Sequence, residues 1–228
     1  MHGYVLVKAP DGKVIGMGDQ INIVHGDRVR SRLILHFRDG SLDDDDTVFR
    51  QAKNLELISD HHVQKGPSFP APMDMMLVVS TGEVTRRTLR DGKEEVTTEH
   101  MDMPSDLANG MLTSVLENLP AATSEFKVSF LVGAPKPRFV KLSITPDGRD
   151  SFHVGGVTRG ARRYRIHMDL GGVAGVVAPL IGKQPSDMEW WVMTGEVPAF
   201  LKVNAAMYEQ GPIWTTELTS PGWPSGTP

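Results

Sequence analysis

Four Asp-Gly pairs, Asp11-Gly12, Asp39-Gly40, Asp91-Gly92 and Asp147-Gly148, each fall between runs of β-branched or alternating residues. Gly takes positive φ without steric cost and Asp tolerates it better than most residues, so the pair encodes a tight turn between strands. Pro10 and Pro146 stand one place before two of the pairs and pre-set φ for a turn. A chain punctuated in this way is expected to run as an antiparallel β-meander.

The runs between the turns support that expectation. Gly3 to Ala9 and Val14 to Val24 read as the first strands. In the next, Val29, Ser31, Leu33, Leu35 and Phe37 share one face, while Arg30, Arg32 and His36 take the other with Ile34. Period-2 alternation of this kind marks a half-buried strand. The acidic run Asp43 to Asp46 then reads as a solvated loop that discourages edge pairing, followed by strand character from Thr47 to Ser59. His61 to Pro72 reads as a Pro-rich loop. Strands are expected over Met73 to Ser80, over Val84 to Leu89 and Glu94 to Glu99 as a hairpin, and then over Glu125 to Gly133 and Arg138 to Thr145. From Arg163 to Leu170 the pattern puts Tyr164, Ile166, Met168 and Leu170 inward, with Arg163, Arg165, His167 and Asp169 outward. Gly171-Gly172 turns the chain, and Val173 to Ile181, apolar all round and broken by Pro179, reads as a buried or lid-like segment. Trp190 to Met193, Phe200 to Val203 and Ile213 to Leu218 complete the strands. The expected organisation is one β domain over 1–220 and a flexible tail over 221–228, with Trp223 free to tuck in.

One segment breaks the pattern. Leu107, Met111, Leu112, Val115, Leu116 and Leu119 recur at helical spacing, Pro104 to Asp106 supplies start signals, and Pro120 stops the run. Ser105 or Asp106 is a candidate cap. Asn109-Gly110 lies inside the run, and a helical Gly costs about 1 kcal/mol. The first turn is therefore expected to be irregular, or the helix to start after it.

Composition excludes more than it identifies. The 228 residues contain no cysteine, which removes disulfides, thiolate metal sites and cysteine nucleophiles together. A net charge of -4 gives no global pull toward nucleic acid or an anionic membrane surface. No apolar run approaches the roughly 20 residues of a spanning helix, and MHGYVLVKAPDGK lacks the basic and apolar regions of a signal peptide.

Candidate chemistry is sparse. His61 and His62 are adjacent, so on a strand they face opposite ways and cannot jointly chelate. No histidine spacing matches a metal motif, and no metal or cofactor is expected. No G-x-S-x-G elbow or phosphate-binding glycine loop occurs. His61 or His62 with an acidic partner such as Asp60 remains a candidate catalytic group for a hydrolase. The most suggestive feature is cationic: Arg30, Arg32 and His36 share one strand face, and Arg163, Arg165 and His167 another, with Arg86 and Arg87 besides. Side by side on a concave face they would recognise a carboxylate or phosphate. On a solvated outer face they would do no such thing.

The C-terminal third combines a Gly-Gly turn after an alternating strand, the strand Glu189-Trp190-Trp191-Val192, the start Pro198-Ala199-Phe200, and a closing strand ending in Glu217-Leu218. In this it resembles the uncharacterised bacterial DUF3108-like proteins, relatives of the lipoprotein-carrier half-barrels. HHVQKGPSFP, LANG, PKPRFVKL and APLIGKQP look like a group of hypothetical proteins from soil bacteria whose members usually begin with an export signal. The resemblance implies a mainly β, strongly curved antiparallel sheet, a half-barrel or open barrel with one short amphipathic helix. It also implies a periplasmic or secreted protein, with a cytoplasmic one as the alternative. On that reading the protein is a non-enzymatic binder of an apolar or amphipathic small molecule. Trp190, Trp191 and Phe200 would hold the apolar part, and Arg163, Arg165 or His167, with Arg30 and Arg32 as further cations, the polar head. The other readings are the hydrolase and an envelope protein-interaction module that uses an exposed sheet edge.

Overall fold

The computed structural model describes residues 1–90, 93–133, 136–154, 157–171 and 184–222. The elements in chain order are β1 (His2–Lys8), β2 (Val14–His25), β3 (Arg28–Phe37), β4 (Leu42–Gln51), β5 (Leu55–Lys65), β6 (Met73–Val78), β7 (Glu83–Arg90) and β8 (Lys93–His100). They continue with α1 (Leu112–Asn118), β9 (Phe126–Val132), β10 (Arg138–Val154), β11 (Val157–Asp169), β12 (Met188–Met193), β13 (Ala199–Ala206) and β14 (Ile213–Gly222). All fourteen strands form one antiparallel sheet in the order β8-β7-β6-β5-β4-β3-β2-β1-β14-β13-β12-β11-β10-β9. Consecutive strands are neighbours everywhere except between β8 and β9, which form the two ends of the sheet. The first and last strands meet in the middle, Val5 opposite Leu218 and Lys8 opposite Thr215.

The sheet is not closed into a barrel by strand pairing, yet it curls on itself. One core cluster contains Val29, Phe49, Leu57, Met75, Leu77 and Val84 from β3 to β7 together with Val128, Leu142, Ile144, Tyr164, Ile166 and Val192 from β9 to β12. Residues so far apart in the strand order touch a common core only if both flanks of the sheet bend toward one another. Leu107, Met111, Leu112, Val115 and Leu116 fill the space between them. A second cluster, with Val5, Val7, Leu35, Phe37, Phe69, Phe200 and Trp214, occupies the middle of the concave side. Bulges at Tyr4/Val5, Val7/Lys8, Val48/Phe49 and Trp191/Val192 supply bends that a flat ladder lacks.

The turn at Asp39-Gly40, with Gly40 at φ 86°, joins β3 to β4 as its sequence predicts. Asp147-Gly148 does not end a strand: β10 runs through it to Val154, and the register slips between Pro146 and Arg149. It is a bulge. The acidic run is not a loop either, because Asp43 to Asp46 form the first half of β4. Alternation splits those four carboxylates between the faces, where cross-strand partners compensate each pair. His61 to Lys65, expected in a loop, complete β5. The helix is only 7 residues long, begins after the Asn109-Gly110 irregularity, and has Met111 at its N-cap with no side-chain cap bond. Asp106 instead binds Ser129 and Lys141. The Asp91-Gly92 turn, the segment Val173 to Ile181 with its Pro179, and Trp223 with the rest of 223–228 lie outside the described residues.

Candidate functional site

The ends of the sheet meet at a seam built, among the described residues, from side chains and a single bridge. Ala108 N donates to Ser129 O (3.0 Å) and Ser129 N to Asp106 O (3.1 Å), so residues 106–108 pair with β9 in parallel. Asn109 continues the pairing with its side chain: Leu131 N donates to Asn109 Oδ1 (2.7 Å), and Asn109 Nδ2 donates to Leu131 O (2.9 Å). A carboxamide offers the same donor and acceptor as a peptide group. Asn109 thus stands in for one residue of a missing strand. Beyond it, Arg86 from β7 donates to Gly133 O (3.1 Å) and ties in the opposite flank.

Gly110, at φ 61°, lies directly on a buried polar network. A Cβ there would fall 1.7 Å from Thr47 Oγ1 and 2.4 Å from Asp60 Oδ1. Thr47 Oγ1 donates to Asp60 Oδ1 (2.7 Å) and approaches Asp45 Oδ1 (3.2 Å). The register places Asp43 opposite Gln64, Asp45 opposite His62 and Thr47 opposite Asp60, all on the concave face. Burial, then the charge and hydrogen bond of Asp45, push the Asp60 carboxyl well above the usual range, with Thr47 and His62 opposing. Asp60 therefore holds its proton more tightly than an ordinary aspartate. Burial works against a charge on His62, but the Asp43 carboxylate 2.7 Å from Nε2 and the nearby Asp45 and Asp60 outweigh it, raising the imidazole to about 10. His62 is an imidazolium at neutral pH.

A third polar group lies under the helix. Glu117 Oε1 accepts from Phe200 N (2.9 Å), and burial pushes its carboxyl up to about 7 against that one stabilising bond. Close by in sequence, Trp190 packs edge-on to Phe200 at 6.0 Å and touches both core clusters. Its indole Nε1 is buried and makes no hydrogen bond among the described residues.

The sequence-derived candidates fall on both sides of the sheet. Asp60, His62, Trp190 and Phe200 face the concave side. His61 points outward to Asp74 (3.0 Å). Trp191 is also on the outer face, donating Nε1 to Asp150 (2.7 Å) with Lys202 Nζ 4.0 Å from its ring centre. The arginine rows lie on that face too. Arg30 forks onto Asp46, Arg32 onto Asp44 (2.8 and 2.7 Å), and Arg163 and Arg165 clasp Asp147. His167 Nδ1 is 2.7 Å from Asp187. Asp44 and Asp147 are held below the usual carboxylate range, chiefly by the hydrogen bonds from Arg32 and Arg165.

Sequence reasoning passed over Asp43, Asp45, Thr47, Asn109 and Glu117. For the first three a signal existed. Once Asp39-Gly40 is fixed as the turn, the pairing of β3 with β4 puts Asp46 opposite Arg32 and Asp44 opposite Ile34, which sends Asp43 and Asp45 inward. Nothing in the sequence marks Asn109 as a strand surrogate.

Two grooves flank Pro104. One, about 340 Å³, is lined by Asn54, Leu55, Glu56, Leu57, Val79, Met103, Ser105 and Leu107 as well as Pro104. The other, about 280 Å³, lies against Ser129, Phe139, Val140, Lys141, Asp169 and Leu170. Neither is lined by Trp190, Trp191 or Phe200. Among the described residues no group of three or more His, Cys, Asp or Glu is placed to hold a metal ion, and no helix is long and apolar enough to cross a membrane.

No protein-family model and no curated protein matches the chain. Among solved structures, a β-barrel-like protein of the domain of unknown function DUF1849 from Brucella abortus is similar in fold at 8% identity. The match covers 96% of this chain and 95% of that one with a TM-score of 0.45.

Proposed function

We propose that the protein is a non-enzymatic binder of an amphipathic small molecule, taken up at the seam and acting in the bacterial cell envelope. The supporting observation is the groove beside Pro104. Its volume of about 340 Å³ reaches the lower end of the range for small-molecule sites. Five apolar side chains line it, Leu55, Leu57, Val79, Met103 and Leu107. Leu57 and Leu107 belong to the core itself, and Leu55, Val79 and Met103 pack against it, so an apolar chain entering there meets a surface continuous with the interior. Asn54, Glu56 and Ser105 add polar groups to the lining. The methionine suits such a place, since its flexible thioether repacks around differently shaped occupants.

The export and the DUF3108-like kinship of this reading come from the resemblance in sequence, and fractionation of cells expressing the native gene tests the location. A hydrolase built on Asp60 and His62 would need its substrate at a carboxyl that is 2% exposed and lies beneath Gly110. The groove reading needs no such rearrangement to begin.

Native mass spectrometry of freshly purified protein is expected to show a co-purifying apolar adduct. The fluorescent probe N-phenyl-1-naphthylamine is expected to bind, with at least a tenfold loss in Val79→Trp, which fills the groove. Trp191→Phe, on the outer face, is expected to bind as the wild type does. Absence of any adduct together with equal probe binding by Val79→Trp would remove the reading.

A further inference from the structure

The two ends of the sheet are finished differently. The edge of β9 is covered by residues 106–108 and by the Asn109 carboxamide. At the other end β8 pairs with β7 from His100 opposite Glu83 to Lys93 opposite Arg90. Among the described residues no strand covers its second edge. All of β8 except Thr97 is exposed, so neither of its faces is packed on the core. Edges are commonly blunted by Pro, by bulges or by charge. Here the ladder has no bulge and the strand no Pro or Gly, which leaves only the charges. The hairpin also projects past its neighbour, because β6 pairs with Glu83 to Arg86 alone. Residues 87–90 and 93–96 thus form a two-stranded ribbon, a unit that is marginal in water until further strands join it. Val96, in that ribbon, is 54% exposed.

The direction of the free backbone groups follows from one bond. Met101 N donates to Gly82 O (2.8 Å). Alternation then turns the N–H and C=O of Lys93, Glu95, Thr97 and Glu99 toward β7, and those of Glu94, Val96, Thr98 and His100 away from it. The Thr85 and Thr98 hydroxyls, 3.0 Å apart, fit this assignment, since side chains come closest in pairs that share no backbone bonds.

A second β8 can be laid antiparallel on this edge about a two-fold axis, and the charges select where the axis falls. With the axis at Val96, that residue bonds its own counterpart, and Glu94 and Thr98 bond each other in both directions. Lys93 then faces Glu99 at both ends, and Glu95 faces Thr97. An axis at Thr97 sets Glu95 against Glu99 twice, and one at Glu94 or Glu95 sets that glutamate against itself. An axis at Thr98 opposes no charges of either kind. The Val96 register alone joins Lys to Glu without opposing two glutamates.

We propose that the protein associates with a second copy of itself through β8, antiparallel about Val96, so that two ribbons become one four-stranded unit and the sheets run on into each other. The groove plays no part in this. A single strand pair is small beside a standard interface of about 1,600 Å², so the dimer forms and parts with concentration.

Sedimentation velocity of the full chain over a roughly hundredfold range of concentration is expected to show monomer passing into dimer. Val96→Pro removes an N–H that has no partner in the monomer, a place where an edge strand tolerates Pro. It is expected to raise the dissociation constant at least about tenfold with the far-UV circular dichroism unchanged. Lys93→Glu and Glu99→Lys, the second also losing a 3.4 Å contact with Arg86, are each expected to weaken association by setting like charges together at both ends. Mixing the two variants sets opposite charges together again and is expected to restore it, which a mere loss of fold in either would not allow. A monomer at every concentration, a dimer that Val96→Pro leaves intact, or a mixture that associates no better than its components overturns the proposal. So does a chain that stays monomeric while taking up an extended peptide of unrelated sequence at β8, the other occupant an open edge accepts.

Discussion

Asn109→Ala tests whether a side chain truly replaces a strand at the seam. Asn109 is 3% exposed and Leu131 1%. The two hydrogen bonds between them, 2.7 and 2.9 Å, satisfy both backbone groups that Leu131 turns toward the open edge of β9. Truncation leaves a buried N–H and a buried C=O without partners. Each orphaned group costs about 1–3 kcal/mol, so the loss should be about 3–4 kcal/mol, a large part of the 5–15 kcal/mol that stabilises a typical domain. Urea denaturation followed by far-UV circular dichroism measures it. Asn109→Asp sharpens the test, because it keeps the acceptor for Leu131 N but sets a carboxylate against Leu131 O. It should be as damaging as Ala at pH 7 and should recover part of its loss below about pH 4, where the protonated acid donates again. A loss under 1 kcal/mol in Asn109→Ala, or no acid rescue of Asn109→Asp, would show that the seam does not depend on this mimicry.

Glu117→Gln should raise global stability relative to wild type as pH increases from 4.5 to 7. The gap should reach about 3 kcal/mol, since each pKa unit is worth about 1.4 kcal/mol, and parallel stability curves would contradict it. His62, raised to about 10, should contribute stability that is complete below its ordinary value of 6.5 and is lost as pH climbs toward 10. Nuclear magnetic resonance titration of its ring should find it protonated at pH 8, and an ordinary titration near 6.5 would contradict the Asp43 pairing. Gly110→Ala should cost about 3 kcal/mol, combining left-handed strain with overpacking on Thr47. Gly12→Ala, at φ 82° with open space around it, should cost only about 1 kcal/mol. Equal losses in a thermal melt would mean that Gly110 is needed for its backbone angle alone.

The strands were legible because alternation and turn chemistry act locally. Val29 to Phe37 and Tyr164 to Met168 put the expected side chains inward, and the turn at Asp39-Gly40 formed where the residues demanded it. Errors arose where tertiary context outweighs local preference. Four successive aspartates look like a solvated loop until Arg30 and Arg32 stand across from two of them and His62 beside another. Asp147-Gly148 has the chemistry of a hairpin, but Arg163 and Arg165 hold Asp147 while the strand continues past it. The concave polar groups were harder still. Their properties come from burial and from partners many residues away, such as Glu117 beneath Phe200 or Asn109 beside Leu131, and no periodicity carries that information.

The pairing of β1 with β14 in the middle of the sheet has a consequence for how the chain reaches its native state. As synthesis proceeds from the N-terminus, β1 to β8 can assemble early, but β1 keeps a bare edge until β14 arrives. An incomplete chain therefore exposes an unpaired strand at the centre of the future sheet, the position most prone to recruit another molecule. A circular permutant cut between β8 and β9, with the old ends joined, would place all fourteen strands in simple sequential order. It would make that vulnerable edge internal from the moment both neighbours exist, and would leave the seam as the last part to close.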